Sequence, residues 1–496
     1  VTPVTDAVSK DRAGLSFGTL AVANGGLALA PCPGSGGNPL KVDLAALRDW
    51  GATRLISLTP MAELARLGAG HLHDEAKALG LTVHGVPVAD FDVPAGDALA
   101  AWSRVSPLVH RALERGERVA IHCRAGLGRS GMLAALILTE RGLPPDAAIA
   151  RVRAARPGAI ETDAQQAFVM AHGAHADARE RMIHASLVAG AIGDSLGAEI
   201  EFLKLPDIRA LFPDGLDDLP PHDGLRGAIT DDTQMTLFTA EGLVDAIGSD
   251  GDPVACVQDA LMRWYGTQTT RPDGSETGLA ADSRLYVSRA PGITCMSALS
   301  SRAIAAANDS KGCGTIMRVA PVAFLAARDR VRDLAIRTSA LTHGHRTGQL
   351  AAAFWAELLA DVTQGASLED AAHALLATYR RLPGAGETVA AVEAALHAPR
   401  DGRAETVESL GGGWIAEQAL AIALHACLAG RDLDHALRIA VTHGGDSDST
   451  GAIAGNMLGL LHVGHVAEHR FANDIECADL IRALARDMAQ ARPIGA

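Results

Sequence analysis

The run Gly444-Gly445-Asp446-Ser447-Asp448-Ser449-Thr450-Gly451 alternates carboxylates with hydroxyls. Its glycines open a tight turn, and the small apolar residues Ala452, Ile453 and Ala454 read as the start of a helix. Oxygens on a loop that enters a helix suit a hard cation, magnesium or manganese, whereas zinc more often recruits sulfur or imidazole. One Asp-x-Asp cannot complete such a coordination shell. A second oxygen cluster, Thr230-Asp231-Asp232-Thr233, lies between the Gly-rich stretch Asp223 to Gly227 and the apolar run Leu237, Phe238, Ala240, Leu243 and Val244. Either cluster alone is explained by helix capping, in which side-chain oxygens and negative charge offset free amides and the helix dipole. Two clusters of matching chemistry in one chain point to a metal site.

A third stretch carries different chemistry. His122-Cys123-Arg124-Ala125-Gly126-Leu127-Gly128-Arg129-Ser130-Gly131 follows the apolar run Arg118 to Ile121 and precedes the apolar run Met132 to Leu138. That context places it at a strand-to-helix turn, where glycines let backbone amides converge into an anion-binding nest. The planar fork of Arg129 can clamp two phosphate oxygens beside it. The pattern resembles the signature of cysteine-dependent phosphatases. The resemblance implies that Cys123 takes the phosphoryl group as nucleophile and that Ser130 donates a hydrogen bond to the departing thiolate. Arg124, Ala125, Gly126, Leu127 and Gly128 are then the backbone that binds phosphate. It also implies a proton donor on an earlier loop. Val88-Ala89-Asp90-Phe91-Asp92-Val93-Pro94 offers Asp90, in the Ala-Asp-x-x-x-Pro spacing of dual-specificity phosphatases, with Asp92 as the alternative. Gln165 resembles the glutamine that orders the hydrolytic water.

Three further motifs accompany the acidic clusters. They are Gly190-Ala191-Ile192-Gly193-Asp194-Ser195-Leu196-Gly197 followed by Glu199 and Glu201, Asn308-Asp309-Ser310-Lys311-Gly312-Cys313-Gly314, and Leu341-Thr342-His343-Gly344-His345. In this order, over residues 180 to 496, the five motifs closely resemble the ADP-ribosylglycohydrolase family, which includes the dinitrogenase-reductase-activating glycohydrolase and the animal ADP-ribosylhydrolases. The resemblance implies a compact all-α fold and two magnesium ions, with manganese as the alternative, held by Thr230, Asp231, Asp232, Asp446, Asp448 and Ser449. Glu201 matches an acidic residue on a mobile flap and is a candidate general base or metal ligand. Ser310, Gly312, Cys313, Gly314 and Thr315 read as a cradle for a pyrophosphate, with Lys311 either adding charge or facing solvent. His343 and His345 are expected to line the nucleotide or distal-ribose side. Asp194 is expected to support ligands or helix packing, and Trp414 to be a packing anchor.

The elements that must position these residues fall into two domains, 1–176 and 177–496, since a chain of 496 residues exceeds the usual size of one core. In the first, short apolar strands (Arg54 to Leu58, Thr82 to Val88, Arg118 to His122) alternate with helical patterns (Leu44 to Trp50, Met61 to Leu67, Leu72 to Leu79, Leu99 to Leu113). That alternation predicts an α/β domain with a parallel sheet flanked by helices. The second reads as helical throughout, with amphipathic segments at Ala351 to Ala360, Trp414 to Leu428 and Leu433 to Val441. The boundary is expected near Ala171 to Arg181, without a flexible linker.

The remaining composition excludes more than it assigns. No apolar run is long enough to span a membrane and no signal pattern opens the sequence, so cytoplasmic residence is the default. Seven cysteines without a Cys-x-x-Cys pair argue against a disulfide framework and a zinc knuckle. A net charge of −14 disfavours nonspecific nucleic-acid binding. The expectation is a bifunctional hydrolase. One site removes ADP-ribose from an N- or O-linked acceptor, and the other is a protein-tyrosine or dual-specificity phosphatase working through phosphocysteine. Its partners are an ADP-ribosylated and a phosphorylated substrate, or one molecule carrying both modifications. The alternatives are an ADP-ribose-binding module attached to an active phosphatase, and a phosphatase-like domain that only senses phosphate.

Overall fold

The computed structural model describes residues 7–10, 15–141, 143–213, 215–302 and 305–495. The chain divides into two compact units, one running to Arg179 and taking in Ala489–Arg492, the other holding Glu180–Met488 and the residues from Pro493 onward.

Six strands form one sheet in the first unit: β1 (Ala7–Lys10), β2 (Ser16–Val22), β3 (Gly25–Ala30), β4 (Ala52–Ser57), β5 (Thr82–Gly85) and β6 (Arg118–His122), in the order β1-β2-β3-β6-β4-β5. Strands β3, β6, β4 and β5 run parallel, as the alternation with helices predicts. Strands β1 and β2 are antiparallel to their neighbours, so the sheet is mixed rather than parallel throughout. The cause is local. Val22 pairs with Gly25, leaving only Ala23 and Asn24 to link β2 to β3, and a two-residue link permits only an antiparallel return.

Strand β6 lies between β3 and β4 and is buried along its whole length. Its Val119 and Ile121 join Leu27, Leu29, Trp102 and Met132 in one core, while Ala120 joins Ala28, Ala30, Leu44 and Leu64 in the core on the other face. The helices Asp97–Glu114, Gly128–Glu140 and Pro145–Ala155 supply the first core; Leu40–Trp50, Met61–Arg66 and Leu72–Ala78 supply the second. A sheet covered on both faces presents its chemistry beyond the strand ends, and Cys123 directly follows β6.

The second unit is built from helices, with no strand among its described residues. No helix of the described residues is long and apolar enough to cross a membrane. Its tightest crossing sets the C-terminal part of the helix Asp163–Gly197 against the helix Ser447–Leu461. A methyl group on Gly193 would overlap the Gly451 carbonyl, one on Gly455 the Ala189 carbonyl, and one on Gly459 the Ala185 carbonyl. Ser186 and Asn456 lock the register by exchanging hydrogen bonds: Ser186 Oγ donates to the Asn456 carbonyl at 2.8 Å, and Asn456 Nδ2 to the Ser186 carbonyl at 3.0 Å.

The crossing yields a direct test. Gly193→Ala is expected to destabilise the second unit by about 3 kcal/mol, because the obstacle is backbone and cannot rotate away. Gly464→Ala, where an added methyl meets nothing within 4 Å, is expected to stay within about 1 kcal/mol of the parent or to gain stability. Urea unfolding followed by helical circular dichroism would measure both, and equal effects would show that the crossing is looser than described.

Candidate active sites

The loop after β6 wraps around the Cys123 thiol. Gly126 N–H points at Cys123 Sγ at 3.3 Å, and Ser130 Oγ lies 3.3 Å from the same sulfur. Gly126 has φ +73, and a methyl there would overlap Ala30 and Pro31, so only glycine lets the loop settle on the end of β3. Cys32 N–H donates to the Arg124 carbonyl at 3.0 Å, tying the loop to the same strand end. His122 is buried, with Nε2 2.8 Å from Ser57 Oγ on β4, and burial pushes its pKa down to about 3, so the imidazole is neutral. Burial likewise pushes the neighbouring Cys32 thiol up to about 12, which keeps it protonated.

Arg129 is almost fully buried and held on three sides. Its Nη1 and Nη2 each donate to one oxygen of Glu63 at 2.9 Å, Nη1 also donates to the Val88 carbonyl at 2.9 Å, and Nη2 donates to Asp90 Oδ1 at 2.8 Å. Arg124, largely exposed, reaches the other Asp90 oxygen at 3.3 Å. Asp92 instead accepts from Val93 N–H in its own turn. Gln165 accepts from Glu161 N–H at 3.0 Å and donates to the Asp92 carbonyl at 3.3 Å, joining its segment to the aspartate loop. Glu63 and Glu161 were not legible as site residues. Glu161 accepts from Gly128 N–H at 2.8 Å, so one amide of the expected phosphate nest already carries a carboxylate.

The two acidic clusters and Glu201 meet in the second unit. The first helix begins at Asp231, at the expected helix N-terminus, whereas the second begins at Ser447, ahead of the expected start at Ala452, so Asp448 and Ser449 lie in its first turn rather than on the loop before it. Glu201, Asp446 and Asp448 each place an oxygen within 4.8 Å of the others. With Asp231, Asp232 and Ser449 they line a cleft of 290 Å³, whose other walls include Gly312, Cys313, Gly314 and His343. Asp194 stands behind them. Its Oδ1 accepts from Thr230 Oγ1 at 2.8 Å and its Oδ2 from Thr233 Oγ1 at 2.5 Å, with the amides of both threonines adding further bonds. Asp194 thus fixes the start of the helix Asp231–Ser249 rather than facing the cleft.

Burial and mutual repulsion make these carboxylates weak acids. Burial, followed by Asp448, pushes Asp194 up to about 7. Burial, Asp448 and Asp446 push Glu201 up to about 10. Asp231, Asp232 and Asp446 are raised as well, with burial the largest cause in each. Asp232 Oδ1 is buried with no hydrogen-bond partner. An all-oxygen donor set, crowded and with one orphaned carboxylate oxygen, fits a hard divalent cation.

The structure corrects several expectations about this cleft. Two amides of the expected pyrophosphate cradle are engaged elsewhere: Gly312 N–H donates to Ser310 Oγ at 3.3 Å and Cys313 N–H to the Trp414 carbonyl at 3.2 Å. Ser310 therefore braces the loop from behind. Lys311 neither faces solvent freely nor serves the cleft, since its Nζ pairs with Glu387 at 2.9 Å and Glu417 at 2.5 Å. His345 caps the helix Arg346–Thr363 by accepting from Thr347 N–H, while His343 is buried in the cleft wall and pushed down to about 3 by burial. Trp414 is not a packing anchor: it is exposed, lines the cleft and stacks on Phe202. Cys313 donates its thiol hydrogen to Asp446 Oδ2 at 2.8 Å, a contact no spacing rule anticipates.

Sequence comparison agrees with both halves of this geometry. The profile of the ADP-ribosylglycohydrolase family matches residues 174–494. A profile described as a polymorphic toxin system, DSP-PTPase phosphatase, matches residues 33–143. An uncharacterized protein of Archaeoglobus fulgidus is 27% identical over 277 residues, covering 54% of this chain and 84% of its own length. A probable protein tyrosine phosphatase type IVA of Dictyostelium discoideum is 34% identical over 84 residues, which are 17% of this chain and half of that protein. Among solved structures, an ADP-ribosylglycohydrolase-related protein complex aligns over 63% of this chain and 98% of its own, with 26% identity and a TM-score of 0.48. The first profile spans more than half of the sequence and contains every residue of the acidic cleft, so the chain belongs to the ADP-ribosylglycohydrolase family and carries a cysteine-phosphatase-like domain ahead of the family domain.

Proposed function

We propose that the second unit hydrolyses the bond between ADP-ribose and a modified acceptor, and that the first unit hydrolyses phosphate monoesters. The observation that carries the first reading is the convergence of Glu201, Asp446 and Asp448 with Asp231 and Asp232 in one cleft. Thr230, Asp231, Asp232, Asp446, Asp448 and Ser449 would hold two magnesium ions, or manganese ions. When bound, such ions supply Lewis acidity and the counter-charge these carboxylates lack. Glu201 takes a proton from the attacking water as the bond from the ribose anomeric carbon to the acceptor breaks, the bonding electrons leaving with the acceptor. Asp194 acts at one remove by orienting Thr230 and the helix that carries Asp231 and Asp232.

In the first unit the Cys123 thiolate attacks phosphorus, Asp90 gives its proton to the leaving oxygen, and water then releases phosphate from the thiophosphate ester. Of the two aspartates, Asp90 is the one that reaches the arginine fork; Asp92 is turned into its own loop. Glu63 keeps the guanidinium flat against the nest. Asp90 shares Nη2 with the position a phosphate oxygen requires, so its turn moves aside as substrate enters.

Three measurements test these readings. ADP-ribose release from arginine-, serine- and phosphate-linked substrates is expected to need magnesium or manganese, to stop with EDTA, and to fall by about a thousandfold or more in Asp446→Asn. Binding of ADP-ribose without release from any substrate would instead favour a binding module. Including a substrate that also carries a phosphate monoester would show whether one molecule serves both sites.

The raised carboxylate pKa values also give a readout that needs no turnover. Glu201, at about 10 without counter-charge, holds its proton at neutral pH and must lose it for a cation to enter. Magnesium or manganese binding is therefore expected to release protons at pH 7 and to strengthen as pH rises toward that value. Calorimetry in buffers of different ionisation enthalpy measures this, and binding without proton release would contradict it.

In the first unit, Cys123→Ser is expected to abolish hydrolysis of an aryl phosphate while retaining tungstate binding. Arg129→Lys is expected to lower kcat/KM by about a hundredfold or more, because a point charge cannot replace the fork. Retained turnover in Cys123→Ser would remove the covalent route.

A further inference from the structure

Neither acidic cluster of the second unit contains sulfur, yet the fold sets two sulfur atoms beside them. Cys313 Sγ lies 2.8 Å from Asp446 Oδ2 and 3.5 Å from Ser449 Oγ, and Met317 Sδ lies 3.8 Å from the same hydroxyl. All four residues line the cleft. An inert structural thiol sits buried among apolar groups, whereas Cys313 is only partly buried and faces a carboxylate.

The loop that carries the sulfur is fixed before any ligand arrives. Cys313 N–H donates to the Trp414 carbonyl at 3.2 Å, and the Lys311 carbonyl accepts from Ala416 N–H at 2.9 Å. The glycines on either side are pressed against other groups: a methyl on Gly312 would come within 3.1 Å of His343 Nε2, and one on Gly314 within 2.7 Å of Cys295 Sγ. Cys313, held between them, extends toward Asp446 instead. A donor so placed loses little freedom when it binds.

A second group in the cleft lacks a partner. Asp232 is 3% exposed, and its Oδ1 makes no hydrogen bond. Its charge acts on the Cys313 thiol together with that of Asp446. A buried carboxylate oxygen left alone is costly and calls for a ligand. Magnesium would answer with oxygen donors only and leave the sulfur unused, whereas zinc accepts thiolate and carboxylate together in a four-coordinate shell.

We propose that Cys313, Asp446 and Asp232 form a site for a thiophilic divalent cation, zinc or its heavier congener cadmium, which overlaps the magnesium or manganese site and excludes it. The sulfur–metal bond forms as the thiol proton leaves to water. Zinc held there takes Asp446 away from the ions that hydrolysis requires and so stops ADP-ribose release. That consequence rests on the hydrolase reading above; the binding does not.

The test is made on the full chain carrying Cys123→Ser, which removes the reactive thiol of the first unit. Cadmium is expected to produce an ultraviolet thiolate-to-metal charge-transfer band, and saturating manganese is expected to suppress it by competition. Adding Cys313→Ser, whose hydroxyl still donates to Asp446, is expected to abolish the part of the band that manganese suppresses. Zinc affinity, from competition with a chromophoric chelator, is expected to fall by about a hundredfold in the same variant. Manganese affinity, from the loss of the free-ion paramagnetic resonance signal, is expected to stay within about threefold. Equal falls for zinc and manganese would make Cys313 a mere support for Asp446 and overturn the site. A band indifferent to manganese, or one that survives Cys313→Ser undiminished, would overturn it as well, and so would manganese binding with no zinc binding. If the parent releases no ADP-ribose, the hydrolase reading fails while the cadmium and zinc titrations still decide the site.

Discussion

Five carboxylates drawn into one cleft cannot all be ionised without a counter-charge, because their repulsion grows as water is excluded. Much of the second unit can be understood as what forces them together against that repulsion. The glycine-lined crossing is the first device. Gly197 allows the end of one helix to touch the backbone of Ser447 and Asp448, where any side chain would separate them. Asp194 is the second. By accepting from both threonines of the Thr230 cluster, it holds the start of the helix Asp231–Ser249 at the same point. Cys313 is the third, donating to Asp446 and so neutralising part of its demand for a partner. A bound cation would relieve this crowding, so the residues proposed as its ligands are also the destabilised acids.

The first unit solves the opposite problem. A guanidinium nearly out of water requires negative partners, and Arg129 has them in Glu63 and Asp90. The two partners differ in kind. Glu63 meets the fork with both oxygens and comes from the short helix Met61–Arg66, packed into the core through Leu64. Asp90 meets it with one oxygen, from a loop whose side chain remains partly exposed. The bidentate partner fixes orientation, and the single-oxygen partner can be exchanged for phosphate at modest cost.

Short motifs in the sequence predict where chemistry lies, and they do so because each combines residue types with a local conformation. Asp-Ser-Asp-Ser after paired glycines, and Cys followed by Arg-Ser at a strand end, each imply a helix start, and each helix forms but begins about one turn earlier than the apolar run suggests, at Ser447 and Gly128. Residues that reach a site from elsewhere in the chain leave no such mark. Glu63 looks like an ordinary helical glutamate, and its pairing with Arg129 depends on how a helix docks on the sheet. Trp414 has the composition of a core residue, and only its neighbours in space make it a rim. The antiparallel half of the sheet is a different omission. Asn24-Gly25 between apolar runs is a hairpin signal, overlooked because Gly25 and Gly26 weaken the strand pattern that follows.

The two candidate acids share a local solution although their surroundings have nothing in common. Ala89-Asp90-Phe91-Asp92 and Ile200-Glu201-Phe202-Leu203 are both turns closed from the fourth residue's N–H to the first residue's carbonyl. Each has the acid second and an exposed phenylalanine third, with φ +62 and +63. A left-handed third residue reverses the chain within one step; the ring that follows the acid is left in solvent at Phe91 and on the wall of the acidic cleft at Phe202. Glycine would do this without strain, at the cost of a looser loop. Phenylalanine gives a turn held by its neighbours: Thr162 and Gln165 donate to the Phe91 and Asp92 carbonyls, and the amides of Ile200 and Glu201 donate to the Gly197 carbonyl. A turn held in strain by a few hydrogen bonds lies close in energy to its released form. That property suits an acid that must be in place for chemistry and out of the way for exchange, the roles proposed for Asp90 and Glu201.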